Sequence, residues 1–118
     1  MFSISKAPER RRFERFRADF SLVASVVGEQ EIKSARGRCH SLSQGGIAAV
    51  FQQQLLSGEL VNLELRLPNS TKSLWVDAVV RRQNSDCGME FLSLSEEQAK
   101  AIKRYSSLQP LEKRRKEA

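Results

Sequence analysis

Between Leu60 and Leu67 apolar and polar residues alternate one for one, with Val61, Leu63, Leu65 and Leu67 on one side and Asn62, Glu64 and Arg66 on the other. Period two belongs to a strand with one buried and one wet face, and it excludes a helix over this stretch. Pro68-Asn69-Ser70 turns the chain back, and Leu74, Val76, Ala78 and Val80 then make a second inward face opposite Trp75, Asp77, Val79 and Arg81. Earlier segments follow the same grammar. Phe16 to Val27 reads as a strand ending at Gly28-Glu29, and Ile32 to Ser41 as the next, with Ala35, Gly37 and Cys39 facing one way and Ser34, Arg36 and Arg38 the other. Gly45-Gly46 forces a tight turn into Ile47 to Phe51, a loop is expected over Gln52 to Gly58, and Asn84-Ser85-Asp86 leads into a last strand from Cys87 to Leu92.

Only after these strands does the pattern change. Ser95 with Gln98 three residues on has the form of a capping box, Glu96 and Glu97 suit the positive end of a helix dipole, and Lys103 and Arg104 suit the negative end. A helix is expected from about Glu96 to Ser107, packing through Ala99, Ile102, Tyr105 and Leu108. Six short strands followed by one helix predict an all-β fold with a helical cover: a six-stranded antiparallel β-barrel closed by a C-terminal α-helix. At 118 residues there is room for one such domain. We expect a short N-terminal stretch over 1–8, the domain over 9–107 and a basic tail over 108–118.

Several function classes drop out. The longest apolar stretches fall far short of the roughly 20 residues that span a bilayer, and the N-terminus lacks the apolar core of a secretory signal, so a cytoplasmic protein without membrane insertion is expected. The single histidine, His40, has no acid spaced in sequence to orient it, and with Cys39 and Cys87 it falls short of the usual four-ligand zinc set. Neither an enzyme nor a metal site is expected. A Cys39–Cys87 bridge is compatible with the sequence, but a cytoplasmic chain keeps its thiols reduced.

The net charge of +6 is carried at the ends. Residues 1–17 hold six basic and two acidic residues, residues 110–118 hold four and two, and the middle is balanced. A domain that coats nucleic acid spreads its basic residues over a face of the fold, so this distribution argues against nucleic-acid binding. The C-terminal run after Pro110 lacks apolar periodicity and reads as a solvated tail. The N-terminal ERRRFERFR interleaves aromatics with arginines, and Phe13 gives it something to pin.

Two patterns complete the reading: Arg11-x-x-x-Arg15, then Ser41-Leu42-Ser43-Gln44-Gly45-Gly46 at the turn between the second and third strands. In this order, ahead of a barrel and a helix, they resemble the PilZ domain, whose signature is RxxxR followed by [D/N]xSxxG. The resemblance runs from about Glu9 to Ser107, with Gly46-Ile47-Ala48-Ala49 after the turn and Gly88-Met89-Glu90-Phe91-Leu92 at the close. It implies a receptor for cyclic di-GMP as ligand, with no other cofactor. Arg11 and Arg15 would present planar donor forks to phosphate oxygens or to guanine O6 and N7. Ser43 would offer a hydroxyl, and Gly46 close approach of ligand and backbone. Arg10, immediately before the motif, implies binding of an intercalated ligand dimer.

The departure is Ser41, where the pattern has Asp or Asn. An aspartate could accept from guanine N1–H and N2–H together. Hydrogen bonds to charged groups are worth about 1.5–3 kcal/mol against about 0.5–1.5 for neutral ones, so serine implies affinity lower by roughly tenfold. Two functions in this family stay open. One is a receptor that changes shape on binding and signals to an unidentified protein partner. The other is a degenerate adaptor that has lost the ligand and works through protein contacts, as in type IV pilus biogenesis.

Overall fold

The computed structural model describes residues 13–27, 32–68 and 70–112. Six strands, β1 (Phe16–Val27), β2 (Ile32–Leu42), β3 (Gly46–Phe51), β4 (Leu60–Leu65), β5 (Leu74–Gln83) and β6 (Cys87–Phe91), precede one helix, α1 (Glu96–Ser106). All neighbouring strands are antiparallel, and they close into a barrel in the order β1-β2-β3-β6-β5-β4. Two three-stranded meanders therefore face each other, joined by the Gln52–Glu59 connection. That connection folds inward at Leu55, which is buried, and it bonds to β5 through Gly58 N–H to the Val80 carbonyl and Val80 N–H to the Glu59 carbonyl. Gly58 holds φ +93°, a left-handed conformation that glycine adopts without steric cost.

The alternation read from the sequence is the alternation of the core. Val61, Leu63, Leu65 and Leu67 are buried, as are Val76, Ala78 and Val80 across from them. Leu22, Ala24, Cys39, Leu42, Ala49 and Cys87 complete the interior. Two expectations change. Val79, on the outward side of β5, is buried as well; the register of β5 against β6 shifts between Val80 and Arg82, and the Gly58–Glu59 backbone runs alongside there. Leu108, expected to pack with the helix, stands 68% exposed because α1 ends at Ser106 and the chain turns away.

The capping box of α1 is complete: Ser95 Oγ accepts from Gln98 N–H at 3.0 Å and Gln98 Oε1 accepts from Ser95 N–H at 2.9 Å. Gln98 Nε2 also donates to the Trp75 carbonyl at 2.6 Å, tying the helix start to β5. Ile102 and Tyr105 are buried against the strands, each a gain of about 1.5–3 kcal/mol. The Tyr105 ring meets Phe20 edge-on at 5.4 Å.

β1 has twelve residues and β4 has six, so β4 pairs only with Leu22 to Val26 and leaves the start of β1 without a sheet neighbour on that side. An unpaired edge leaves main-chain donors and acceptors to be satisfied elsewhere. The chain beyond the helix does this. Arg17 N–H donates to the Pro110 carbonyl, Leu111 bridges to Phe16, and Glu112 N–H donates to the Arg15 carbonyl at 2.9 Å. The stretch just after Pro110, read from sequence as the start of a solvated tail, is thus docked on β1 through an isolated β-bridge at Leu111; residues 113–118 lie outside the described residues.

Both thiols are free and buried. Cys39 pairs with Ala49 and Ala49 with Cys87, so the cysteines sit two strand spacings apart. That is about 9–10 Å, beyond the Cα separation of about 7 Å that a bridge can span.

Candidate functional site

The turn from β2 to β3 is built by Ser43. Its Oγ accepts from the N–H groups of Gly45 at 3.0 Å and Gly46 at 3.2 Å, while its own N–H donates to the Gly46 carbonyl at 2.9 Å. A serine hydroxyl that satisfies two successive amides holds a turn tightly. Ser43 is accordingly buried, its hydroxyl engaged inside the turn. Gly46 is required for a different reason from the one its motif suggests: a Cβ there would collide with the carbonyl oxygen of Met89 on β6. Its missing side chain is filled by the neighbouring strand.

Just before the turn the β2–β3 register shifts between Cys39 and Ser41, leaving His40 as an extra residue on β2. Such a bulge re-aims the side chains that follow it, and Ser41 and Leu42 are both buried in succession. His40 faces out, and its Nε2 lies 3.3 Å from Asp86 Oδ2, so an acid far off in sequence does stand beside the imidazole. Arg82 reaches the same carboxylate at 3.3 Å, and Arg81 pairs with Glu90 at 2.8 Å. The β5 arginines are engaged in exposed ion pairs of the kind worth about 0–1 kcal/mol.

The arm meets the turn through Phe13. A Cβ on Gly45 would lie 2.9 Å from the Phe13 ring, so the ring rests on the turn and occupies the space that a larger residue at 45 would take. Phe13 sits between Arg11 and Arg15 in sequence, which brings the second arginine of RxxxR beside the serine-glycine turn. Arg15 is exposed, and its carbonyl holds the N–H of Glu112. Arg17 pairs with Ser41 across β1 and β2. Of the residues expected to bind ligand, Arg15, Ser41, Ser43 and Gly46 converge on one mouth of the barrel, and Arg10 and Arg11 lie outside the described residues.

One residue at this mouth carried no sequence signal. Ser41, only 1% exposed, donates its hydroxyl to Glu112 Oε1 at 2.9 Å. Glu112 is half-buried and comes from a stretch that composition alone marks as basic tail. Only the apolar Leu111 beside Pro110 hinted that this stretch docks.

Burial raises the Cys39 thiol to about 12, opposed in part by the Ser41 backbone; the protonated thiol donates to the Ser41 carbonyl at 3.3 Å. Cys87 is pushed up to about 11, chiefly by burial and then by the Asp86 charge. Thiols held protonated in this way are poor nucleophiles. Among the described residues no three Cys, His, Asp or Glu side chains come together as a metal site, and no helix is long and apolar enough to cross a membrane.

Solved structures share this architecture. The chain is similar to the PilZ domain with c-di-GMP of YcgR from Escherichia coli, at 17% identity and a TM-score of 0.67, over 85% of this chain and 91% of that one. It is also similar to the Bacillus subtilis inhibitor of motility MotI/DgrA, at 24% identity and a TM-score of 0.65, over 84% of this chain and 50% of that one. A third likeness is the PilZ domain of CeSA from a cellulose-synthesizing bacterium, at 19% identity and a TM-score of 0.59, over 79% and 94% of the two chains. No curated protein sequence gives a significant match. The family model for the PilZ domain matches residues 9–108, taking in both motifs, all six strands and the helix, and the chain belongs to the PilZ domain family.

Proposed function

We propose that this chain is a cytoplasmic receptor domain for cyclic di-GMP that changes shape on binding and passes the signal to a protein partner. The observation that carries the reading is the meeting of the two motifs at one barrel mouth. Phe13 is seated on Gly45, and Arg15 is joined through Glu112 to Ser41. The solved YcgR structure with c-di-GMP lends the ligand its identity, as a property of that protein.

In this reading the arginines do most of the binding. Arg11 and Arg15 supply guanidinium forks to the phosphates and to guanine O6 and N7, each good bidentate base contact being worth about 1–3 kcal/mol. Arg10 extends the reach to a second, intercalated ligand molecule. Ser43 and Gly46 shape the turn against which the ligand lies, and Ser41 acts from beneath. The ligand exerts its effect by closing the arm over the mouth, since binding shifts a shape equilibrium only by its preference for one state. The chain carries no output chemistry of its own in this scheme, and a protein partner reads the closed arm. PilZ domains act as receptors or adaptors, and catalysis is not part of the proposal.

A second reading has its own observation. Ser41 replaces the acid or amide of the motif and its hydroxyl is already committed to Glu112, which suits an adaptor that has lost the ligand. Calorimetric titration with cyclic di-GMP at physiological salt separates the two. The receptor gives saturable heat with two ligands per chain, and Arg11→Ala and Arg15→Ala each weaken binding at least tenfold. Absence of heat at high micromolar ligand overturns the receptor and leaves the adaptor.

A further inference from the structure

Ser41 poses a chemical problem for a guanine-binding site. Its hydroxyl brings one donor and cannot offer the paired acceptors that guanine N1–H and N2–H demand. At 1% exposure it also presents almost no surface to a ligand. Yet the hydroxyl is not idle, because it points at a carboxylate: Glu112 Oε1 lies 2.9 Å away. We propose that Glu112 is the guanine-reading acid of this chain, brought from beyond the helix to stand where the motif would place its own Asp or Asn. The inference rests on the cyclic di-GMP reading above.

The geometry holds this carboxylate from two directions. On the main chain, Glu112 N–H is bonded to the Arg15 carbonyl at 2.9 Å, Leu111 bridges to Phe16, and the Pro110 carbonyl accepts from Arg17 N–H. On the side chain, Ser41 fixes one oxygen from below. A group anchored at both ends loses little freedom when a ligand arrives, which is what a specificity contact requires. Ser41 takes one of about four lone-pair positions on the carboxylate. Among the described residues no hydrogen bond is made to Oε2, so acceptor capacity remains for a pair of N–H donors.

Charge decides which part of the ligand this group faces. A carboxylate repels phosphate, so Glu112 must meet the base edge, while Arg15 on the adjoining main chain meets the phosphates. Guanine offers N1–H and N2–H side by side; adenine has no N1–H, and hypoxanthine lacks the 2-amino group. A site built to accept from a particular N–H rejects an analogue without it, because the buried acceptor is then left unpaired. Ser41 is in this view a positioning residue whose hydroxyl suits a carboxylate partner.

The test is calorimetry on the full chain with two ligands, cyclic di-GMP and its inosine counterpart, which lacks both 2-amino groups. The variants are Glu112→Ala and Glu112→Gln, with thermal melts of each to verify folding. The wild type should bind cyclic di-GMP about tenfold more tightly than the inosine ligand. Glu112→Ala should lose more than tenfold for cyclic di-GMP, because the N1–H contact goes with the N2–H contact, and bind the two ligands equally. Glu112→Gln, which keeps one acceptor oxygen and a partner for Ser41, should fall between them. Three results overturn the proposal: equal wild-type affinity for both ligands, an unchanged guanine preference in folded Glu112→Ala, or tighter binding in that variant, which would make Glu112 a competitor of the ligand. A wild type that binds neither ligand defeats the receptor reading itself, and the role of Glu112 with it.

Discussion

At the scale of single residues, the glycines divide by what fills the space of their missing side chains. At Gly46 it is a carbonyl oxygen of β6, backbone that cannot move without parting β3 from β6. At Gly88 it is the Arg82 guanidinium, 2.9 Å from where a Cβ would be, the far end of a flexible chain. Gly46→Ala should therefore cost about 3 kcal/mol, at the upper end of overpacking, whereas Gly88→Ala should cost about 0.5 kcal/mol or less, since only an exposed Arg82–Asp86 pair is disturbed. Chemical denaturation of the two variants side by side reads the contrast; equal losses would show that Gly46 is not gripped by Met89. Ser41 makes a related point. Strict alternation along β2 places it on the inward face with Cys39, but its bond to Glu112 joins segments far apart in sequence, which no local pattern reveals.

At the scale of elements, the helix is docked by specific polar contacts as well as by burial. The β1 register is irregular between Arg17 and Phe20, which takes the Asp19 N–H out of the ladder; it donates instead to Tyr105 Oη at 3.2 Å. An N–H displaced by a bulge must find another acceptor, and α1 provides it while seating the Tyr105 ring on Phe20. Tyr105→Phe keeps the ring and removes the acceptor, so it should cost about 1 kcal/mol in a urea titration. Ser95→Ala breaks the capping box and should cost a similar amount. Combined, the two should add, because they act at opposite ends of α1; marked non-additivity would mean that the helix docks as one cooperative unit.

For the whole molecule, the barrel interior keeps two thiols protonated, and that links stability to pH. Cys39 is raised from an ordinary 9.0 to about 12 and Cys87 to about 11. Both folded values lie above the unfolded ones, so the folded state holds protons that the unfolded chain releases in alkali. The contribution is complete below about pH 9 and declines as pH rises toward 11–12. Stability measured from pH 7 to 11 should fall at the alkaline end, and Cys39→Ala with Cys87→Ala should flatten that part of the curve. In the same barrel at pH 8, a thiol reagent should label neither cysteine until denaturant is added, then label both. Rapid labelling of the folded protein would mean that the interior opens readily.

How much of this was legible beforehand follows from the range of the forces involved. Strand alternation, turn residues and the capping box act over two to four residues, so the sequence by itself determined the six strands, the helix and its cap, with boundaries at β4 and β6 off by a residue or two at their ends. The barrel was implied by strand count and turn spacing, and the paired motifs named the family. What depended on contacts between distant residues could not be read this way. Glu112 lies 71 residues from Ser41, and Asp86 meets His40 from another strand. Phe16 and Leu111 pair because β1 outruns β4 and its unpaired edge must find a partner. Local pattern tells a residue which face it occupies; only closure of the barrel decides which residue stands opposite.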